Sequence, residues 1–566
     1  MKNKLIFIGG AIIVLTVLIS LIVFNYIFDN VGDIKATSIN SSAHVDNSNI
    51  DWDTYNSYDE IDSREGDVII TEKGVYTLTG EINGKVIINT SGNVKLILNN
   101  VIINSDNGPC ILVKEAANLV IYTEKDSKNV LNDTTNYNDY LEEDGTIFSH
   151  DDLILEGEGT LIINANYGDA IVSKDDLTIS SGSYEINSND DGIKGKDSVH
   201  IVDGTITINS KGDGIKATND TEEDKGNVVI DGGTITIEAS LDGIQAEKKI
   251  VINGGTFDIT TGGGAGNVST SQSWGMWGNN KSVTDSNSAK GLKAGDNIVI
   301  NNGTIKLNTS DDAIHSNNYV GIVNGNISIT SGDDGIHADK TLVIDNGTIN
   351  ITKSYEGLEA SSITINVGNI SVTASDDGFN AAGGNDSSSM DRPGANNFES
   401  SGNNSLTING GKVYVNATGD GLDANGSIYI NGGEVIVDGP TNNGNGALDY
   451  DREFVMKGGS LIAIGSSGMA QGISNNSSIC GILINFSSTY NEGTVVSITD
   501  SSGNEVVSYT AKKSFSSILV ANNILKQGEK YTVKINGSDY TTVTLSSVST
   551  TVGNQGMMGG GPGGRR

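Results

Sequence analysis

The feature that most constrains this chain is a step of 22 residues. Short acidic stretches of one shape return along it: "DDGI" at 190–193, "GDGI" at 212–215, "LDGI" at 241–244, "DDAI" at 311–314, "DDGI" at 333–336, "DDGF" at 376–379 and "GDGL" at 419–422. Asp191 to Asp213, Lys290 to Asp312, Asp312 to Asp334 and Asp334 to Glu356 are each 22 residues apart. Between these stretches the grammar is constant. After Asp334 comes a short apolar stretch, then the alternating pair Leu342 and Ile344, an Asn346-Gly347 turn, and the alternating pair Ile349 and Ile351. Period-two alternation marks half-buried strands. Three strands in so short a repeat cannot close a core alone, but identical units can stack. The expected fold is all-β, a right-handed parallel β-helix with about 22 residues per rung. Asn-Gly hairpins would be the antiparallel competitor, set aside because such a repeat gains most by stacking like on like. Roughly 15 rungs at about 4.8 Å each make a rod on the order of 70 Å long.

Two steps are long, from Asp242 to Lys290 and from Asp377 to Asp420, and they contain Gly/Ser/Asn-rich text near 261–289 and 383–404. These read as loops grown out of a turn rather than as lost rungs. At the front, Lys2 and Lys4 precede an apolar run from Leu5 to Phe28. It is long enough to span a bilayer as a helix, so residues 1–28 are expected to be an N-terminal transmembrane anchor, or a signal segment if cleaved. The flanking charges put the bulk of the chain on the extracellular side. Residues 29–63 read as a linker, 64–479 as the β-helix, 480–548 as a small β-rich C-terminal cap, and 549–566 as a flexible Gly-rich tail.

The chain carries 70 acidic and 35 basic residues, a net charge of −35, which excludes nucleic acid as a partner. Cys110 and Cys480 are the only cysteines and are expected to be unpaired, so neither a disulfide scaffold nor a cysteine-based zinc site is open to it. A monomer is expected.

In a parallel β-helix each repeat position becomes a ladder. Asp312, Asp334, Glu356 and Asp377 would stand one above another, with Asp311, Asp333 and Asp376 beside them. Two carboxylates about 4.8 Å apart repel by roughly 3 kcal/mol at an effective dielectric near 20. Three remedies are open. Asp can accept hydrogen bonds from turn backbone, which accounts for one acid per rung but not two. Protonation can relieve crowded acids. A divalent cation can bridge rungs, and all-oxygen ligands favour Ca²⁺. On the calcium reading the metal ligands are Asp190, Asp191, Asp213, Asp242, Asp311, Asp312, Asp333, Asp334, Asp376 and Asp377.

A second column lies two positions after the small residue: Lys194, Lys216, Gln245, Lys293, His315, His337, Glu359, Asn380 and Asp423. Alternation turns it away from the apolar core. It is either a solvated face in which Lys offsets Asp, or a polymer-binding strip in which Lys194, Lys216 and Lys293 meet sugar. Trp274 and Trp277, in the loop "SQSWGMWGNNK", offer a sugar-stacking platform or a pin for that loop.

With these features in hand, the chain resembles the calcium-associated carbohydrate-binding β-helix proteins of clostridia and related bacteria, described as binders of pectic acid and cellulose. The resembling text includes "GVYTLTGEINGKVIIN", "VKLILNNVIINSDNGPCILV", "NLVIYTEKDSKNVLND", "DDGIKGKDSVHIVDGTITINSKGDGIKA", "AKGLKAGDNIVINNGTI" and "FSSILVANNILKQGEKYTVKI". The resemblance implies an extracellular protein that binds acidic or cellulosic polysaccharide. It also implies calcium held at Asp190/Asp191, Asp311/Asp312, Asp333/Asp334 and Asp376/Asp377. Departures are Lys290 in place of an acid, and Gly212, Leu241 and Gly419 in place of the first acid of a pair. Two other functions stay open. A pectate-lyase-like enzyme would need a base, for which Lys290 or Lys293 are the candidates. A surface adhesin or spacer would need none.

Overall fold

In the computed structural model the described residues are 50–58, 60–137, 142–266, 288–382 and 404–554. The anchor segment 1–28, residues 29–49 of the linker, Trp274 and Trp277, the bulk of both insertions and residues 555–566 lie outside them. Among the described residues, no helix is long and apolar enough to cross a membrane.

The text "TITINS" shows how sequence becomes structure here. It forms the strand Thr205–Ser210, in which Ile206 and Ile208 are buried while Thr205, Thr207 and Asn209 face solvent. β-Branched residues suit this half-buried pleat, where each side chain packs on its counterpart in the next strand. One rung consists of Ile193–Gly195, Ser198–Ile201 and Thr205–Ser210. Each pairs in parallel with its counterpart one rung on, namely Ile215–Ala217, Asn227–Ile230 and Thr234–Ala239. The same threefold pairing continues along the chain, which makes the expected parallel β-helix the observed architecture.

Register is held residue by residue. Ile193, Ile215, Ile244, Leu292, Ile314, Ile336, Leu358, Phe379 and Leu422 stack in one unbroken column. All are fully buried. The column also settles what the long steps are. Ile244–Ala246 pairs directly with Leu292–Ala294, and Thr256–Thr261 with Thr304–Thr309. Ser362 to Ile365 pair with Ser405–Ile408. The intervening text therefore adds no rung.

Turns carry ladders of their own. Asn366 donates its amide to Asp345, Asn409 to Asn366 and Asn431 to Asn409, at 2.6–2.7 Å. Stacked amides of this kind reinforce a repeat along its axis. Gly347 in the same turn has φ +113°, and a Cβ there would stand 2.7 Å from the Gly325 carbonyl oxygen one rung back. Only glycine meets both conditions.

The ends differ from the expected boundaries. At the front, Trp52–Thr54 forms a short 3₁₀ turn, Ser57 bridges to Val75, Ile61 bridges to Leu78, and the Tyr58 ring stacks on Tyr76 at 4.5 Å. Residues 50–58 and 60–63, assigned to the linker on polarity, thus contribute to closing the first edge, because the Tyr58–Tyr76 stack and the packing of Tyr58 and Ile61 on the core anchor an otherwise polar segment. At the back, Phe515–Asn522 pairs antiparallel with Ser460–Gly465 of the last rung and with Cys480–Tyr490. A reversed strand ends parallel stacking and protects the open edge. Ser549–Val552, read from sequence as the start of the tail, pairs in parallel with Cys480–Tyr490 and belongs to the cap. A separate four-stranded antiparallel sheet completes the cap over its own apolar cluster around Phe486, Ile498 and Val533. Cys110 and Cys480 are both free thiols.

Candidate functional site

The acids sit where the third strand of one rung turns into the first strand of the next. Gly192, just after Asp191, is there for space: a Cβ would meet the Gly214 carbonyl oxygen and Ile208, each at 2.6 Å. The chain therefore passes close to its neighbour, and the buried acid of each pair points at the next rung. Asp191 donates its backbone N–H to Asp169 Oδ1, Asp213 to Asp191 Oδ1, and Asp242 to Asp213 Oδ1, at 2.8–2.9 Å. Lys290 N–H continues this series onto Asp242 Oδ1. Asp334 N–H donates to Asp312 Oδ1 and Glu356 N–H to Asp334 Oδ1, both at 3.0 Å. Asp420 N–H donates to Asp377 Oδ1 at 2.6 Å. In these rungs one carboxylate oxygen thus serves as a surrogate carbonyl in the backbone ladder. The ladder is interrupted at Lys290, which has no carboxylate to offer, so that the Asp312 N–H turns to Asp311 Oδ1 instead.

The other oxygen faces the second column. Lys194 Nζ lies 2.8 Å from Asp169 Oδ2 and 3.5 Å from Asp191 Oδ2. Lys216 Nζ lies 2.7 Å from Asp213 Oδ2 and 3.4 Å from Asp191 Oδ2. Lys293 Nζ lies 3.1 Å from Asp242 Oδ2. Lys194, Lys216 and Lys293 are therefore committed to internal acids, and the solvated-face reading of that column accounts for them. Asp190, the outer member of its pair, is exposed while Asp191 is buried. Asp169, Asp190 and Asp191 nonetheless offer oxygens that lie within 4.8 Å of one another, as do Asp311, Asp312 and Asp333.

Lys290 fills the odd rung. It is 7% exposed, and its ammonium lies 2.9 Å from Asp311 Oδ1 and 2.7 Å from Asp312 Oδ2. Burial lowers the affinity of this amine for its proton, but Asp312 and Asp311 more than reverse that and hold it well above the ordinary lysine range. Burial likewise would raise the Asp312 carboxyl, yet Lys290 first and His315 next hold it well below the carboxylate range. An ammonium so held is a counter-ion, not a general base, and Lys293 is ion-paired as well. The two lysines nominated for a lyase reaction are structural.

From Asp334 onward the character changes. Asp376, Asp377, Asp420, Asp423 and Asp449 have no basic side chain within 4.0 Å among the described residues. Burial first, then Asp420, pushes Asp377 up to about 7. Burial raises Asp420 to about 6, and burial with Asp377 and Asp420 raises Asp423 to about 8. Lysine offsets the ladder in its first half; in the second half the acids stand with one another. Asp376 and Asp377 lie in that bare half, while Asp334 lies at its start.

The sequence reading treated the acid column and the column three residues on as separate faces. The structure makes them one network. His337 shows it best: expected in the outward column, it is 0% exposed and lies between Asp334, Asp339 and Glu359. Its ring stacks on His315 at 4.6 Å. The i,i+3 spacing of Asp334 and His337, set against the 22-residue step to Glu359, was the available signal.

Comparison with known proteins bears on identity. Residues 64–335 match the family model described as carbohydrate-binding domain-containing protein. A carbohydrate-binding domain-containing protein of Acetivibrio thermocellus is 32% identical over 162 residues, 27% of this chain and 56% of that relative, so the chain spans about half the relative's length. A solved structure of a polysaccharide lyase-like protein from C. thermocellum, a gadolinium derivative, is 32% identical over 37% of this chain and 87% of that one, with a TM-score of 0.35. Over residues 64–335, the chain is similar to the carbohydrate-binding domain-containing proteins.

Proposed function

We propose that the chain is an extracellular, membrane-anchored protein that binds acidic (pectic) or cellulosic polysaccharide with the help of Ca²⁺, and that it does not cleave it. The observation that carries this reading is the change along the acid ladder at Asp334. Up to that rung, lysines complete the charge; beyond it, Asp376, Asp377, Asp420, Asp423 and Asp449 present oxygen alone. Crowded carboxylates without nitrogen ligands suit a hard dication, which offsets their repulsion. A calcium ion held there can share its remaining positions with a uronate, which reconciles a chain of net charge −35 with an acidic polymer.

The third side of the rod supplies a second surface within the family-matched segment. Thr205, Thr234, Thr256 and Thr304 stack in register with Thr207, Thr236, Asp258 and Lys306 beside them, all exposed. A flat strip of hydroxyl and charged groups suits an extended neutral glucan. Trp274 and Trp277 remain candidates for stacking on the same polymer. The lyase alternative is disfavoured by the ion-paired state of Lys290 and Lys293.

The test incubates the purified chain with polygalacturonate or with cellulose, in calcium and in chelator. Retention on polygalacturonate that chelation abolishes, with no rise in ultraviolet absorbance, is the expected result. A rise would reveal unsaturated uronides and a lyase. Retention that chelator leaves untouched would remove calcium from the account, and no retention on either polymer would overturn the reading.

A further inference from the structure

The place where the ladder changes character contains a set of ligands that calcium does not explain. His337 and Glu359 are paired residues on neighbouring rungs, so their side chains leave the same face of adjacent strands. Asp334 reaches that face from the turn, three residues before His337. Its Oδ1 is engaged by the Glu356 N–H, which leaves Oδ2 directed at the imidazole. His337 Nδ1 lies 3.5 Å from Asp334 Oδ2 and 2.6 Å from Glu359 Oε2. All three residues are buried, and their ligand atoms lie within 4.8 Å of one another.

Two details separate this cluster from an ordinary acidic patch. His337 is 0% exposed, and its Nδ1 meets Glu359 and Asp334 only as close ion-pair contacts, without a well-formed hydrogen bond. A buried polar atom that lacks a well-formed hydrogen bond is costly. The opposite ring nitrogen, Nε2, is 3.1 Å from Asp339 Oδ1. A carboxylate on the far nitrogen fixes the tautomer and leaves the near nitrogen as a lone-pair donor, the usual arrangement behind a metal-bound histidine.

We propose that Asp334, His337 and Glu359 bind one divalent transition metal of the zinc class, with Asp339 as a positioning residue for the imidazole. Ligands about 2.0–2.1 Å from a tetrahedral ion stand about 3.4 Å apart. The Asp334–His337 separation matches that edge, and the 2.6 Å contact to Glu359 opens by less than 1 Å to meet it. One imidazole and two carboxylates leave a fourth position for solvent. The nitrogen donor selects Zn²⁺, Co²⁺ or Mn²⁺ over Ca²⁺. This site is separate from the calcium proposed above, which concerns the all-oxygen acids from Asp376 on; Asp334, counted among the calcium ligands in the sequence, is assigned here instead.

The test strips the full-length chain with chelator and titrates it with Co²⁺, read by visible absorption. One equivalent is expected to give ligand-field bands that Zn²⁺ displaces and excess Ca²⁺ does not. His337→Ala abolishes the bands; Asp339→Asn keeps them but weakens Co²⁺ binding by about 10-fold or more; His200→Ala, at a histidine elsewhere on the rod, leaves them unchanged. Thermal unfolding in chelator verifies that each variant is folded, and Asp339→Asn, at a partly exposed carboxylate, carries the test if His337→Ala is not. The proposal is overturned if the wild type gives no bands, if they survive in His337→Ala, if Ca²⁺ displaces the metal, or if Asp339→Asn binds with undiminished affinity.

Discussion

Asp191 Oδ1 accepts the backbone N–H of Asp213, one rung on, at 2.9 Å, while Oδ2 of the same carboxylate faces two lysines. A single side chain thereby joins two rungs and neutralises itself. The repulsion expected of stacked acids is handled differently in the two halves of the rod, and four predictions follow from where each acid's oxygens go.

The backbone role and the charge role are separable at Asp213. Asp213→Asn keeps an oxygen for the Asp242 N–H but loses the pair with Lys216. Asp213→Ala loses both and leaves a buried donor unmet, at a cost of about 1–3 kcal/mol beyond the Asn variant. Urea unfolding midpoints measure the difference. Equal stability of the two variants would mean that the surrogate-carbonyl bond contributes nothing.

Lys290→Met should destabilise strongly, by about 3–5 kcal/mol, because it strands the fully buried Asp312 charge. Adding Asp312→Asn should recover most of that loss. Polysaccharide retention by the refolded double variant should match wild type. If instead the single variant is as stable as wild type, Lys290 is not the counter-ion of the odd rung.

Calcium should stabilise the protein through the bare half alone. A rise in melting temperature with added Ca²⁺, governed by mass action on the folded state, should shrink by half or more in Asp377→Asn. The same rise should persist in Asp213→Asn, whose partner is Lys216. Differential scanning calorimetry at fixed Ca²⁺ concentration reads both. An equal loss in the two variants would place the ions along the whole ladder.

A second acid group, away from the ladder, sets a pH dependence. Asp175 is pushed up to about 7 by sharing a hydrogen with Asp197 and by burial, and Asp176 to about 6 chiefly by burial, with Asp152 adding repulsion and Lys225 opposing it. Between the ordinary carboxylate range near 4 and these raised values, the folded chain binds more protons than the unfolded chain. Stability is therefore present at low pH and is lost as pH rises toward 7, then levels off. Asp175→Asn should flatten that fall, making the variant more stable than wild type at pH 7.5 and not at pH 4.5. Urea midpoints at the two pH values test it; parallel profiles would contradict the shared proton.

The rod was legible in the text because its cause is local and repeated. Ile206 and Ile208 alternate with Thr205 and Thr207, and the 22-residue step leaves one way to stack them. The loops were legible too, since a gap that ends on the same grammar returns to the same register. What stayed hidden was anything that crosses a turn. Alternation shows that His337 points away from the core, but not that Asp334 swings onto the same side and Glu359 and Asp339 roof it. Nor does it show which oxygen of an Asp meets backbone and which meets lysine, since that depends on the approach of Gly192 to Gly214. The linker boundary failed for a related reason: Tyr58 finds Tyr76 only once the first rung exists.

The hand-over of each carboxylate to the next rung's backbone also bears on how such a protein can lengthen. An internal duplication of one 22-residue unit would arrive with an N–H for the acid of the rung before it and an acid to accept the N–H of the rung after it. Every copy would be satisfied by its neighbours without any compensating change elsewhere. Growth by whole units is thus nearly free of new defects, while a shift of even one residue would misalign every acid with its donor. The spacing is in this sense a tooth pitch, and it explains why extra text is confined to loops that leave and re-enter at the same tooth.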